Sequence, residues 1–340
     1  MAVDDIDAAA LPAALPVVLP AVLPDDRAAR PVAVLGAGTL GRRIALMFAT
    51  RGGTVRIHDP SASQRAAALR YIRATLPGLV AARADAEGGA EGGTRPDADR
   101  AGGTAAGEVR AVDDLAAAVA GAWLVVEAVP EELDLKRRVF ADLDRLCAPD
   151  TVLASNSSSF ASRLLIDGVT RPARVLNTHF YMPPEQPAVE VMTCGYTDRA
   201  VLDLMLAALP EYGVRPFEAR KESTGFINNR IWAAIKREAL SVVAEGVATP
   251  QEVDRLIQVN GGGSGPFRAM DAVGLDVALA VEEHYAAENP ALPEGPRTVL
   301  RSYVERGRLG VKSGAGFYDD YGDQGDCGGQ GGSGGRGGGT

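Results

Sequence analysis

Residues 176–192 read LNTHFYMPPEQPAVEVM and set a histidine, His179, and a carboxylate, Glu190, on two extended arms around a turn stiffened by Pro183, Pro184 and Pro187. If the arms lie side by side, the carboxylate orients the imidazole and stabilises its charged form, which makes His179 a general base near neutral pH. Val175 and Leu176 are apolar, so His179 falls at the carboxyl end of a buried strand, where open α/β sheets bind their ligands. Taken alone, the same residues also describe a turn holding a satisfied histidine and a solvated glutamate. The neighbouring segments bear on that choice.

Val32 to Leu35 makes a short apolar strand that runs into GAGTLG at 36–41, and Ile44, Ala45, Met47 and Phe48 then have the spacing of a helix face ended by Gly52 and Gly53. A second strand, Thr54 to His58, finishes at Asp59. A GxGxxG alone is a weak signal, but between a strand and a helix, with an acid closing the next strand, it predicts a dinucleotide site. Gly36 permits the tight turn, Gly38 lets a pyrophosphate approach the backbone, and Gly41 allows close helix-to-strand packing. The helix N-terminus, at Thr39 and Leu40, supplies amide donors and positive dipole. Asp59 accepts both ribose hydroxyls and repels a 2′-phosphate, which favours NAD over NADP; His58 and the nearby arginines weigh the other way. An ordinary βαβ turn without a nucleotide is the competing reading.

Further strands deliver polar groups to the same edge. Trp123 to Val126 ends in Glu127 and leads to Glu131 and a helix over 132–147. Val152 to Ala154 empties into SNSSS at 155–159, which offers donors to a ligand or caps a helix over 159–165. A helix over 61–76 carries Arg65, Arg70 and Arg73, and a helix over 198–212 with a strand over 214–218 completes the domain. The fold class is therefore α/β, a Rossmann-type doubly wound parallel sheet. From Glu222 the pattern turns to helices alone, giving an all-helical C-terminal domain. Ile227, Ile231, Ile235, Ala239 and Val243 form one stripe on a helix that stops at Gly246, fit for a subunit interface or for a monomer core. Thr249 to Glu252 is a capping box with proline at the first helical position. Glycines at 261–263 and 265 make a loop, and helices over 275–288 and 296–305 follow.

The expected organisation is a flexible arm at 1–29, a nucleotide domain at 30–221 with a mobile insertion at 85–107, a helical domain at 222–320, and a glycine-rich tail at 321–340. With 340 residues, 46% of them hydrophobic, the chain can bury a sizeable core in two domains. A net charge of −9 and no basic stripe argue against a nucleic-acid partner. Cys147, Cys194 and Cys327 are distant and odd in number, fitting neither a disulfide framework nor a zinc site, so no metal is expected. The opening MAVDDID is acidic where a secretory signal needs positive charge, prolines 12, 16, 20 and 24 interrupt its apolar residues, and no run is long enough for a membrane span. These features suggest a cytoplasmic protein.

In order, GAGTLG (36–41), VVEAVPE (125–131), SNSSS (155–159), HFYMPP (179–184), GFINNRI (225–231) and VKSGAGFY (311–318) resemble the 3-hydroxyacyl-CoA dehydrogenase family, supported by GPF at 265–267 and GLD at 274–276. The resemblance covers roughly 31–320. It implies reversible oxidation of an L-3-hydroxyacyl thioester with NAD, in a homodimer joined through the helical domain. By this resemblance His179 matches the catalytic histidine of an HFFNP-like motif and Glu190 its carboxylate partner. Ser158 and Asn229 match residues that bind the substrate oxygen. Glu131 and Lys136 match the nicotinamide side, and Asn156 is a further cofactor neighbour. Met182 stands where the family usually has asparagine, the His-to-Glu segment is one residue shorter, and Thr224 replaces a proline. These departures keep open a free or carrier-bound hydroxy acid, as in members acting on carnitine or sugar acids, and a crystallin-like nucleotide binder without turnover. Arg65, Arg70, Arg73 and Arg83 are the candidates for CoA phosphate contacts.

Overall fold

Every position of the strands Val32–Leu35, Leu124–Glu127, Val152–Ser155 and Val175–Phe180 is buried, as expected for strands covered on both faces. The computed structural model describes residues 20–88, 106–261 and 263–321. The expected arm before residue 20, the insertion between 89 and 105, and the tail from 322 lie outside the described residues. The first unit runs to Ile227. Its elements are β1 (Val32–Leu35), α1 (Thr39–Ala49), β2 (Thr54–His58), α2 (Ala62–Gly88), β3 (Glu108–Val112), α3 (Leu115–Val119), β4 (Leu124–Glu127), α4 (Leu133–Leu146), β5 (Val152–Ser155), β6 (Val175–Phe180), β7 (Ala188–Thr193), α5 (Arg199–Ala208) and β8 (Arg215–Ala219).

The eight strands form one sheet in the order β3-β2-β1-β4-β5-β6-β7-β8. β1 to β6 are mutually parallel, β7 runs antiparallel to β6, and β8 is parallel to β7. The first six give the 3-2-1-4-5-6 order of a dinucleotide-binding doubly wound sheet, whose switch point lies between β1 and β4. The expected Rossmann-type sheet is thus present. Period-two alternation sorts β1 between two cores. Val32 and Val34 join α1 and α2 residues such as Ile44, Phe48 and Ile72 on one face, while Ala33 and Leu35 meet Phe140 and Leu143 of α4 on the other. Burying such a Phe or Ile contributes about 1.5–3 kcal/mol each. Phe48 of α1 packs edge-on against Phe180 of β6 at 6.3 Å, which ties the helix after the glycine turn to the strand carrying His179.

Several local expectations are corrected. α2 does not stop before Pro77 but continues to Gly88. Leu76, Leu79 and Val80 pack on the sheet core, which outweighs the one backbone bond that proline removes. The helix expected over 159–165 is a loop and a 3₁₀ turn, Ser162–Leu165. Ser157 Oγ accepts the Phe160 N–H and Asn177 Oδ1 accepts the Ser162 N–H, so side chains replace the helical ladder. The helix expected to reach Tyr212 ends at Ala208 and tightens to 3₁₀ over Leu209–Tyr212. Residues 20–29, expected within the arm, are anchored: the Ala21 N–H reaches Asp198 at 3.1 Å and Arg27 pairs with Glu211.

The second unit begins at Asn228 and contains α6 (Asn228–Ala244), α7 (Pro250–Val259), α8 (Pro266–Val273), α9 (Leu275–Glu288) and α10 (Gly295–Val304). Ala239, Leu240, Phe267, Met270, Leu300 and Phe317 form its core. α6 ends in a Schellman motif, with Gly246 N–H on Val243 and Val247 N–H on Val242. The capping box at Thr249 and Glu252 is formed. The stripe on α6 is divided: Ala239 is buried, whereas Ile231 and Ile235 are exposed, so the stripe is not simply a monomer core. Among the described residues no helix is long and apolar enough to cross a membrane.

Candidate active site

The β6–β7 pairing sets His179 directly opposite Glu190. His179 Nδ1 lies 3.0 Å from Glu190 Oε2, and both residues are buried. A carboxylate only accepts, so with Glu190 ionised the proton sits on Nδ1 and the lone pair on Nε2. A buried carboxylate needs partners, and Glu190 has more than the histidine. The Tyr181 hydroxyl donates to Oε2 at 2.8 Å and the Ile227 N–H donates to Oε1 at 2.9 Å. Phe226, in a left-handed conformation at φ 54°, stacks on the imidazole at 5.0 Å. Arg43 of α1 donates to the Pro183 carbonyl at 2.9 Å and pairs with Glu185, which holds the proline turn against the glycine-turn helix.

A second buried network lies at the ends of β4 and β5. Lys136, essentially inaccessible on α4, donates to Glu127 at 2.6 Å and to the Val129 carbonyl at 3.2 Å, and pairs with Glu131 at 3.1 Å. The three acceptors match the three hydrogens of the ammonium. Ser155 Oγ donates to the other oxygen of Glu127 at 2.7 Å, and Ser157 Oγ donates to Glu131 at 2.5 Å. Burial pushes the Glu131 carboxyl up, but the Ser157 hydroxyl and the Lys136 ammonium outweigh it, so the group rests below its ordinary value. Asn156 Oδ1 accepts the Phe180 N–H at 2.9 Å and so joins the end of β5 to that of β6.

The glycine turn has the shape a dinucleotide requires. Gly36 sits at φ 99°, and a Cβ there would lie 2.3 Å from the Ala128 carbonyl across the switch point. A Cβ on Gly41 would lie 1.9 Å from the Gly36 carbonyl. Beside Gly38, by contrast, there is open space. No side chain caps the N-terminus of α1 and its first turn has no acid, so the amides around Thr39 and Leu40 suit an anion. The Asp59 carboxylate accepts the Ala37 N–H at 2.9 Å and the Ser61 N–H at 2.8 Å, which fixes it beside the turn with acceptor capacity left for hydroxyls.

A cavity of about 390 Å³ gathers Leu40, Glu131, Lys136, Asn156, Ser158 and His179, with Tyr181 and Met182 on its wall. Ser158 is exposed within that setting, unlike buried Ser155 and Ser157. Asp59 stands past the end of β2, outside the cavity lining. Asn229 belongs to the first turn of α6, in the second unit. Of the arginine candidates, Arg65 is engaged with the Asp59 carbonyl at 2.6 Å and Arg83 with Thr50 at 3.1 Å, while Arg70 and Arg73 are exposed.

Residues 31–223 match the NAD-binding domain of 3-hydroxyacyl-CoA dehydrogenase, and residues 225–320 match the C-terminal domain of the same enzymes. The chain belongs to the 3-hydroxyacyl-CoA dehydrogenase family. This dehydrogenase is an NAD-dependent oxidoreductase. It is 33% identical to a probable 3-hydroxybutyryl-CoA dehydrogenase of Bacillus subtilis, over 85% of this chain and 97% of the relative. It is 30% identical to 5-formyl-3-hydroxy-2-methylpyridine 4-carboxylate 5-dehydrogenase of Mesorhizobium japonicum, over 85% and 90%. Among solved structures, (S)-3-hydroxybutyryl-CoA dehydrogenase PaaH1 from Ralstonia eutropha superposes with a TM-score of 0.71 at 28% identity, over 85% of this chain and 98% of that one.

Three residues bound to or packed on the candidate site's side chains carry no role in the sequence reading: Tyr181, Phe226 and buried Glu127. All lie inside quoted motifs, HFYMPP, GFINNRI and VVEAVPE. A tyrosine two residues beyond a histidine on an extended arm returns to the same face, and that period-two signal was readable for Tyr181.

Proposed function

We propose that this dehydrogenase reversibly oxidises an L-3-hydroxyacyl-CoA to the 3-oxoacyl-CoA, with His179 as general base. The observation that carries the reading is the His179–Glu190 pair at 3.0 Å, with the imidazole lining the cavity that also contains Leu40 of the α1 N-terminus. Glu190 holds the proton on Nδ1, which leaves Nε2 to take the substrate hydroxyl proton. Bound NAD supplies the acceptor for the hydride that leaves the same carbon. Ser158 donates a hydrogen bond to the oxygen as it becomes a carbonyl, and Asn229 is assigned the same oxygen by its family motif. Gly36, Gly38, Thr39, Leu40 and Gly41 hold the pyrophosphate, and Asp59 holds the adenosine ribose hydroxyls. Glu131, Lys136 and Asn156 form the wall on the nicotinamide side. Lys136 acts there by fixing Glu131 and Glu127, since its hydrogens are already engaged.

Met182, 41% exposed and on the cavity wall, favours a second reading in which the substrate is a free or carrier-bound hydroxy acid. A thioether there offers dispersion contact and no strong hydrogen bond. The Mesorhizobium relative, named for a pyridine carboxylate, is consistent with such divergence. The exposed Ile231, Ile235, Val273 and Val277 of the helical unit support a homodimer through that unit.

NADH oxidation by the purified protein is to be measured with acetoacetyl-CoA beside acetoacetate and short 3-oxo acids. Turnover of the thioester alone is the expected result. Turnover of a free acid alone moves the enzyme to the second reading, and silence on all of them contradicts both. Light scattering tests the dimer, with a monomer mass at micromolar concentration the contrary result.

A further inference from the structure

The Tyr181 hydroxyl and His179 Nδ1 meet the same oxygen, Glu190 Oε2, at 2.8 and 3.0 Å. The other carboxylate oxygen accepts the Ile227 N–H at 2.9 Å. Glu190 is thus a shared acceptor. The phenol oxygen belongs to Tyr181 of HFYMPP, two residues beyond the histidine.

We propose that Tyr181 is a positioning residue that sets the basicity of His179 through Glu190. This rests on the assignment of His179 as the base. A phenol O–H bound to Oε2 draws electron density from the oxygen that faces Nδ1. The loss weighs more on the imidazolium, which is held by charge, than on the neutral ring, which is held by one ordinary hydrogen bond. Without the phenol, the carboxylate, still bound by the Ile227 N–H, holds the imidazolium more firmly, so a smaller share of the base is free. The Tyr181 ring, 4.8 Å from the imidazole, also fixes the carboxylate's orientation from the β6 side while the Ile227 N–H fixes it from the other oxygen. Around the same cavity Lys136 pairs with Glu131 at 3.1 Å and with Glu127 at 2.6 Å, and Ser158 is neutral; Phe226, stacked on the ring, is apolar. Glu190 is the charged group in direct contact with the imidazole, and Tyr181 is bound to it.

The chain has three histidines, His58, His179 and His284, so a titration of histidine-labelled protein by NMR gives three imidazole curves. His58→Asn and His284→Asn assign His179 by elimination and leave its surroundings intact. In Tyr181→Phe the His179 midpoint is expected to rise by roughly half a pH unit or more. The acid limb of kcat/KM for hydroxyacyl oxidation should move by the same amount. Placing 3-fluorotyrosine at 181 strengthens the donor and should move both downward, which keeps the test decisive even where the phenylalanine variant folds poorly. Unchanged midpoints in both variants, or shifts of the opposite sign, overturn the proposal. A shift of the NMR midpoint without a shift of the rate profile supports the Tyr181 coupling and instead removes His179 as the base.

Discussion

Glu190 in the first unit and Asp271 in the second are buried carboxylates with closely similar shells. Glu190 accepts one backbone N–H, one tyrosine hydroxyl and the ring of His179. Asp271 accepts the N–H groups of Phe317 and Tyr318, at 2.9 and 3.1 Å, and the Tyr321 hydroxyl at 2.9 Å. Burial and three donors therefore do not mark a functional acid. What differs is the third partner. Beside Glu190 it is an imidazole that lines a cavity; beside Asp271 it is backbone, which fixes the segment after α10 in place. Asp254 repeats the second pattern, with the N–H groups of Phe267 and Arg268 and the Tyr318 hydroxyl.

Substitutions at the two kinds of site should separate sharply. The largest effect is expected at Gly41→Val, which drives a carbon to within 1.9 Å of the Gly36 carbonyl and should abolish NADH binding in a fluorescence titration; binding at the native affinity would contradict the cradle. Glu190→Gln keeps the shape and removes the charge that holds the imidazolium, so kcat is expected to fall roughly 10²-fold with NADH affinity unchanged. A kcat within about threefold of the parent would place Glu190 with Asp271 as a structural acid. Asp271→Asn turns one acceptor into a donor facing an N–H or O–H, and should cost about 1–3 kcal/mol in urea unfolding while leaving kcat/KM per folded molecule intact. Loss of activity in proportion beyond unfolding would dissolve the distinction.

Acid should divide the two units as well. Burial pushes the Asp271 carboxyl above its ordinary value, so its contribution is complete below the unfolded-chain pKa and is lost as pH rises through the raised folded value. Asp144, on α4, goes the other way. Burial alone would raise it, but the Thr170 hydroxyl and N–H and the Arg174 guanidinium hold it below the ordinary carboxylate value. Its contribution is present above the unfolded pKa and fades as pH falls through the lowered one. Hydrogen exchange followed from neutral pH into the acid range should therefore show α4 losing protection at a pH where the segment bound by Asp271 has lost none; parallel loss in both would contradict this assignment.

The geometry was legible in the sequence where it is local. The GxGxxG turn was legible because its strand, helix and closing acid are contiguous, and the His179–Glu190 pair because a short hairpin admits few registers. It was not legible where distant packing decides. Pro77 reads as a helix stop, yet the core contacts of Leu76, Leu79 and Val80 carry α2 through it. The serine cluster reads as a helix cap, but Glu127 and Glu131 draw its hydroxyls and the Ser159 N–H into side-chain networks. The closure of Glu190 by Ile227 joins residues 37 apart in sequence, and no periodicity announces it.

The central claim is that His179 is the base. Its most direct test is single-turnover reduction of NAD by His179→Ala with a 3-hydroxyacyl-CoA, beside NADH affinity measured on the same preparation. A fall of roughly 10²–10⁴-fold in the rate with native NADH affinity is the expected result. A rate near that of the parent would remove His179 from the chemistry.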